Sequence, residues 1–250
     1  MIGLAQRKPG QPSVVFLPGA GLSGWMWRRQ IEALPELDAV ALDLPAHGVS
    51  SNQVWESIPA AAAQVASWIR TNATGGKAHV VGLSLGGVVG LELATRFPEV
   101  IDRMVTTGAA GIGLPRVEWV ARFMEMTSPL ALRLSGRMLG LSPADRASLA
   151  QDINRLPKGF MLRAVRELGV CRVTPALFAS PVPALVVAGT REPSGIRQTV
   201  ARVEADWPTA TGRLVPGGRH AWNFQYPDRF DEMLRRWLLD REAAEWLRRP

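Results

Sequence analysis

The chain has 250 residues, of which 47% are hydrophobic and 20% charged, and its formal net charge at pH 7 is +7. This length is sufficient for one large domain with a substantial core, and the absence of any run of eighteen apolar residues excludes a membrane-spanning helix. The charge comes mostly from scattered arginines without interleaved aromatic residues, which favours a solvated surface and argues against nucleic-acid binding.

Strand-like and helix-like segments alternate along the chain. The predicted strands cover residues 13–17, 38–43, 78–83, 101–107, 183–189 and 211–215. The predicted helices cover residues 24–34, 54–71, 84–96, 194–205 and 227–247. This alternation predicts an α/β fold with a mostly parallel, doubly wound sheet that is covered on both faces. No strand pair is evident before residue 10, and segment 1–9 lacks the long apolar stretch of a secretory signal.

Ser84 lies where the apolar run 78–83 changes into a helical pattern, inside the sequence Gly-Leu-Ser-Leu-Gly. A serine at such a strand-to-helix junction is held on a strained turn, and the flanking glycines let two backbones pass closely. The next amide, that of Leu85, lies at a helix N-terminus, where developing negative charge is favoured. The motif also occurs by chance as a structural glycine-rich turn, but its context predicts that Ser84 is a nucleophile.

The chain contains three histidines, and one of them is placed to act as a base for Ser84. His79 lies inside a predicted strand, and His47 precedes the serine, whereas the expected chain order is nucleophile, acid, histidine. His220 follows the strand 211–215 and a turn that contains two glycines. We therefore predict that His220 is the base; the alternative is a loop histidine in solvent.

A carboxylate follows the predicted strand 183–189 at its carboxyl end, where catalytic groups of parallel sheets gather. This residue, Glu192, is predicted to hold the imidazole of His220 in the required tautomer and to stabilise the imidazolium. Its alternative role is to place a negative charge at the N-terminus of helix 194–205. No other carboxylate between Ser84 and His220 stands at a comparable strand end.

Residues 110–180 interrupt the alternation with about sixty residues of helical pattern. This segment is apolar and rich in methionine, with Met124, Met126, Leu130, Leu132, Leu134, Met138, Leu139 and Leu141. It also holds the single cysteine, Cys171, which we interpret as a small buried side chain. One cysteine cannot form an internal disulfide, so we expect a cytoplasmic protein.

Three tryptophans lie close in sequence to these motifs. Trp27 begins a predicted helix and is interpreted as a packing residue. For Trp25 and Trp222, packing and stacking on an aromatic substrate remain equal alternatives.

Together, these motifs resemble those of the α/β-hydrolase-fold serine hydrolases over nearly the whole chain. The segment Val-Val-Phe-Leu-Pro-Gly-Ala-Gly at 14–21 is similar to the family's oxyanion loop, and 43–50 to a turn that is structural in the family. The segments 189–192 and 216–220 resemble those that carry the acid and the base. The chain departs from the family's pattern at two positions: Pro18 replaces a frequent histidine of the oxyanion loop, and Glu192 replaces the usual aspartate.

The resemblance implies a domain organisation and an oxyanion hole. Residues 1–109 and 181–250 would form the core domain, and residues 110–180 a small helical cap over the site. The backbone N–H groups of Ala20 and Leu85 would stabilise the oxyanion. The cap composition predicts a mainly hydrophobic substrate.

The implied function is hydrolysis of carboxylic esters of a small molecule through an acyl-enzyme on Ser84, without a metal or an organic cofactor. Lactone, thioester or carbon–carbon bond hydrolysis on the same residues remains an alternative. Two other classes also remain open: a ligand-binding or sensor protein, and a lyase on the same fold. Nothing in the sequence indicates the oligomeric state.

Overall fold

The computed structural model describes residues 1–109, 111, 134, 136, 141–170 and 173–250. Its centre is a seven-stranded sheet in the spatial order β1-β3-β2-β4-β5-β6-β7. The strands are β1 (Ile2–Gln6), β2 (Ser13–Leu17), β3 (Asp38–Leu42), β4 (Ala78–Leu83), β5 (Ile101–Thr107), β6 (Ala184–Gly189) and β7 (Ala210–Val215). All neighbouring strands are parallel except β1, which pairs antiparallel with β3. The predicted α/β fold with a mostly parallel sheet is therefore confirmed.

Helices cover both faces of this sheet. The α-helices are α1 (Arg28–Glu32), α2 (Ile58–Asn72), α3 (Leu85–Arg96), α4 (Pro143–Arg155), α5 (Phe160–Val170), α6 (Pro175–Phe178), α7 (Ser194–Asp206), α8 (Trp222–Gln225) and α9 (Pro227–Arg235). Short 3₁₀ segments occupy Gly24–Trp27, Gly48–Ser50, Thr74–Gly76 and Pro98–Val100, and a π-helical turn occupies Arg236–Asp240. No helix in these described ranges is long and apolar enough to cross a membrane.

Successive strand residues alternate between two apolar cores, as expected for a sheet that is buried on both sides. Val15 and Val80 belong to the core that contains the buried faces of α2, α3 and α7. Phe16 and Val81 belong to the opposite core, which includes buried residues of α1, α4 and α9. This double cover fixes the sheet, so that the loops after its carboxyl ends start from rigid positions.

No strand pair precedes residue 10, as predicted, but the single strand β1 there was not among the predicted strands. It is an edge strand with mostly exposed residues and a bulge. The prediction for the last helix is wrong. The helix predicted for 227–247 ends earlier. The backbone turns at Arg241, whose φ is 64°, and Leu214 and Arg248 then exchange backbone hydrogen bonds of 2.7 and 2.9 Å beside β7.

Candidate active site

The turn after β4 places Ser84 at the carboxyl end of the sheet. Ser84 has φ 53° and ψ −114°, a strained conformation for a residue with a side chain, and it is half-buried. Its N–H donates to the carbonyl oxygen of Thr107 at 2.9 Å, which ties the turn to the end of β5. A Cβ atom at Gly86 would overlap the carbonyl oxygen of Leu17, so this close passage of backbones requires glycine. The structure therefore has the strained turn that the sequence motif predicts.

The loop after β2 passes directly beside this turn. The Gly86 N–H donates to the carbonyl oxygen of Pro18 at 3.0 Å. A Cβ built at Gly19 would lie 3.6 Å from the Cβ of Ser84. Ala20 follows at once in this loop, and Leu85 is the first residue of α3, where a backbone N–H has no partner within the helix. Ala20 therefore follows Gly19, which lies beside Ser84, and Leu85 follows Ser84 itself. Both residues are predicted for an oxyanion hole.

His47 supports the loop after β2 through a buried hydrogen bond. Its Nε2 accepts the N–H of Gly21 at 3.1 Å, and its Nδ1 lies 2.9 Å from the carbonyl oxygen of Pro45 and donates to it. Burial lowers the pKa of His47 to about 4, against the smaller effect of its backbone partners. The ring therefore stays neutral near pH 7, which leaves Nε2 free to accept. The structural role implied for segment 43–50 includes this contact.

His220 and Glu192 form a direct pair at the ends of β7 and β6. Nδ1 of His220 lies 2.6 Å from Oε1 of Glu192, and the second carboxylate oxygen, Oε2, accepts the N–H of Gly189 at 2.7 Å. The carboxylate is fully buried, whereas 40% of the imidazole side chain is exposed. The pair that the sequence predicts is thus present, with the ring open on one side.

The surroundings of this pair raise the pKa of His220 above its ordinary value. Packed protein around the ring lowers the pKa, but the hydrogen bond to Glu192 and the negative charge of its carboxylate together outweigh that effect. The carboxylate thus stabilises the imidazolium that forms when His220 accepts a proton.

Gly108 brings the serine turn and the histidine pair to one place. It follows Thr107, which accepts the Ser84 N–H, and it has a φ of 63°. A Cβ at Gly108 would lie 2.8 Å from Cε1 of His220 and 3.1 Å from Oε1 of Glu192. Gly108 was not identified from the sequence, although a glycine directly after a strand next to β4 was the available signal.

Side-chain hydrogen bonds hold the loop after β7 that carries His220, called the histidine loop below. The indole N–H of Trp222 donates to the Thr107 hydroxyl at 2.7 Å, and the N–H of Gly217 donates to the hydroxyl of Thr190 at 2.9 Å. Trp222 is fully buried and packs 4.5 Å, centroid to centroid, from Phe230. Of its two alternatives, the structure therefore selects packing over stacking on a substrate.

The other two tryptophans differ from each other. Trp27 is fully buried between Phe16 and Phe230, which confirms the predicted packing role. Trp25 is half-buried, and its indole N–H donates to Asp152 of α4 at 2.6 Å.

The structure describes part of the predicted cap, namely α4, α5 and α6. A Cβ at Gly21 would lie 3.2 Å from Cδ1 of Ile153 and 3.5 Å from Sδ of Met161, so α4 and α5 both contact the loop after Ala20. Leu141 is buried and Leu134 is exposed. The other apolar cap residues named in the sequence analysis lie outside the described residues, as does Cys171: Met124, Met126, Leu130, Leu132, Met138 and Leu139.

Within the described ranges, no group of three or more His, Cys, Asp or Glu side chains is placed to hold a metal ion. His220 and Glu192 bind each other. Such a pair can accept a proton and stabilise the resulting imidazolium.

Comparisons with known proteins agree with this architecture. The profile of the Alpha/beta hydrolase family matches residues 14–233. The chain is 24% identical over 243 residues to the pimeloyl-[acyl-carrier protein] methyl ester esterase of Aeromonas hydrophila, covering 89% of this chain and 94% of the relative.

Two solved structures share the fold at low sequence identity. Naproxen esterase (carboxylesterase NP) from Bacillus subtilis has a TM-score of 0.74 and 18% identity, over 94% of this chain and 86% of that one. The enol-lactonase from Burkholderia xenovorans LB400 has a TM-score of 0.75 and 22% identity, over 94% and 95%. With the family profile spanning most of the chain, and the sheet and strained turn in place, the protein belongs to the alpha/beta hydrolase family.

Proposed function

We propose that the protein hydrolyses carboxylic esters of mainly hydrophobic small molecules through an acyl-enzyme on Ser84. The observation that carries this proposal is the bonded His220–Glu192 pair, which lies against Gly108 beside the residue that binds the strained Ser84 turn. The relative from Aeromonas hydrophila is a methyl ester esterase, which supports ester cleavage over other reactions of the family.

Acylation of the serine is the first half of the proposed reaction. Nε2 of His220 removes the proton of the Ser84 hydroxyl while Oγ bonds to the carbonyl carbon of the ester. The carbonyl π electrons move to oxygen, and the N–H groups of Ala20 and Leu85 donate hydrogen bonds to this oxyanion. Glu192 holds Nδ1–H and stabilises the imidazolium.

Release of both products completes the cycle. The carbonyl double bond re-forms, the bond to the leaving oxygen breaks, and Nε2 of His220 gives its proton to the departing alcohol. A water molecule then loses a proton to His220 and attacks the acyl carbon. Collapse of the second tetrahedral intermediate breaks the bond to Oγ of Ser84, which regains its proton and frees the carboxylic acid.

The cap belongs to this proposal as the roof of the site. We assign residues 1–109 and 181–250 to the core domain and residues 110–180 to the cap, supported by the contacts of α4 and α5 with the loop at Gly21. A roof of this kind excludes water and shapes a pocket for an apolar acyl group. We also propose a cytoplasmic location, because a lone cysteine cannot form an internal disulfide.

A fluorophosphonate probe and a panel of aryl esters of graded acyl length test the proposal. We expect stoichiometric labelling of the wild-type protein, and ester turnover that falls by a factor on the order of 10⁵–10⁶ in Ser84→Ala, together with loss of labelling. Ester turnover that survives Ser84→Ala would remove the covalent mechanism. Absence of both labelling and turnover in the wild type would instead favour a binding protein on this fold.

A further inference from the structure

A buried carboxylate of the cap binds the loop that carries Ala20. Asp152 of α4 is only 5% exposed, and its two oxygens contact residues more than 120 positions away in sequence. Oδ1 accepts the hydroxyl of Ser23 at 3.0 Å, and Oδ2 accepts the indole N–H of Trp25 at 2.6 Å. Burial raises the pKa of Asp152, and both hydrogen bonds oppose this rise. A buried carboxylate is costly unless it is hydrogen-bonded, so these two bonds hold α4 and the loop together.

Residues outside the cap also bind the loop from Gly19 to Trp25. His47 binds the N–H of Gly21, and Oδ1 of Asp43 accepts the N–H of Gly24 at 2.6 Å. Both supports come from residues of the proposed core, and the His47 ring packs edge-on at 4.8 Å, centroid to centroid, from Phe160 of α5. The bonds to Asp152 come from the cap alone, three and five residues beyond Ala20.

Helix α4 therefore contacts this loop at successive positions. Ile153 packs against Gly21, and Asp152 binds Ser23 and Trp25. Because Gly21 directly follows Ala20, a shift of α4 changes the loop next to the proposed oxyanion donor.

We propose that Asp152 is a positioning residue that couples the seating of the cap helix α4 to the oxyanion hole. With α4 seated, Asp152 holds the loop so that the Ala20 N–H is aimed at the reacting carbonyl oxygen. With α4 displaced, both bonds break and the Ala20 N–H no longer points at this oxygen. The inference rests on the proposed ester hydrolysis, and it predicts that the cap contributes to the rate of the chemical step as well as to substrate binding.

The alternative is that Asp152 only anchors α4. An anchor affects thermal stability and substrate affinity, because it keeps the roof in place. An oxyanion defect lowers kcat and weakens the binding of a boronic acid, which forms a tetrahedral adduct with a serine hydroxyl and needs the same donors. These readouts separate the two roles.

Three variants on one helix test the proposal with an aryl ester and phenylboronic acid. Asp152→Ala removes both bonds, and we expect kcat to fall about 10-fold, KM to change less than about two-fold and phenylboronic acid to bind about 10-fold more weakly. Asp152→Asn can still accept from Trp25 and donate to the Ser23 hydroxyl, so we expect kcat within about three-fold of wild type. Asp145→Ala removes only the carboxylate that accepts the Ser142 hydroxyl and keeps the backbone N–H that donates to Ser142 at the start of α4. It controls for an altered helix start, and we expect unchanged kcat.

A fourth variant covers the case in which Asp152→Ala does not fold. Trp25→Phe removes one bond from the loop side and leaves α4 intact, and we expect about a three-fold loss in kcat with a matching loss in boronic acid affinity.

Three results would overturn the coupling: unchanged kcat and boronic acid affinity in the folded Asp152→Ala or Trp25→Phe protein, a rise in KM alone, or an equal loss of kcat in Asp145→Ala. A wild-type protein without Ser84-dependent turnover overturns the proposed function itself, and the inference with it.

Discussion

The two halves of the candidate site are held in place by different means. The serine half is built from backbone: a strained φ at Ser84, the bond from its N–H to Thr107, and a close passage that only glycine permits at Gly86. The acid–base half is built from side chains, with Glu192 bound to His220 and Trp222 bound to Thr107.

This difference determines what each half tolerates. Backbone contacts do not depend on which side chains surround them, but an added Cβ in the wrong place disrupts them. When a side-chain contact is altered, the fold remains, but a chemical group or its alignment is lost. Substitutions in the two halves should therefore separate loss of activity from loss of stability.

The largest effect is expected from removing the base in the side-chain half. In His220→Ala, kcat should fall by a factor on the order of 10⁵–10⁶, because nothing then takes the proton from Ser84. Fluorophosphonate labelling should disappear as well. Added imidazole should restore part of the ester turnover by entering the vacated space. Labelling at the wild-type rate would show that another group activates Ser84.

A smaller loss is expected when the acid loses its charge. Glu192→Gln should lower kcat by a factor on the order of 10³–10⁴, since an amide can present N–H to Nδ1 and favour the wrong tautomer. Glu192 helps to raise the pKa of His220, so its loss should lower that pKa. The acidic limb of the profile of kcat/KM against pH should then move to lower pH.

The control for this change is Glu36→Gln, which alters an exposed carboxylate paired with Arg235. We expect its turnover and pH profile to match those of the wild type. If Glu192→Gln also behaves as wild type, the assignment of the acid is wrong.

In the serine half, two glycines provide a matched test of the backbone argument. A Cβ at Gly86 would overlap the Leu17 carbonyl oxygen, so Gly86→Ala should lower the free energy of unfolding by about 3 kcal/mol or more. A Cβ at Gly19 would meet only side-chain atoms at 3.4 Å or more, so Gly19→Ala should cost less than about 1 kcal/mol. Urea denaturation measures both values. Equal losses would mean that backbone crowding at Gly86 does not determine the stability of this half.

The site residues that could be predicted from the sequence are those that come directly after the end of a strand. Ser84 and Glu192 follow the buried strands β4 and β6, His220 follows the half-buried strand β7, and parallel strands bring their carboxyl ends to one edge. The structure places His220 and Glu192 in contact, as predicted. Their catalytic roles remain predictions.

Contacts between residues that are far apart in the chain could not be predicted from sequence patterns. Asp152 reads as an ordinary polar residue of an amphipathic helix, because its partners Ser23 and Trp25 lie more than 120 residues earlier. The end of the last helix was mispredicted for a related reason: Arg248 pairs with Leu214, and this tertiary contact overrides a continuous helical pattern. Local periodicity carries no information about either partner.

The smallest expected effect concerns the bond that joins the two halves. Trp222→Phe keeps the buried ring but removes the N–H that binds the Thr107 hydroxyl, so we expect a loss of about 1–2 kcal/mol in unfolding free energy and a few-fold decrease in kcat. Thr107→Val removes the same bond from the other side and leaves the carbonyl that accepts from Ser84. If this bond aligns the histidine loop with the serine turn, the double variant should lose little more than either single variant, with a coupling energy of about 1 kcal/mol. Fully additive losses would show instead that Trp222 and Thr107 act independently.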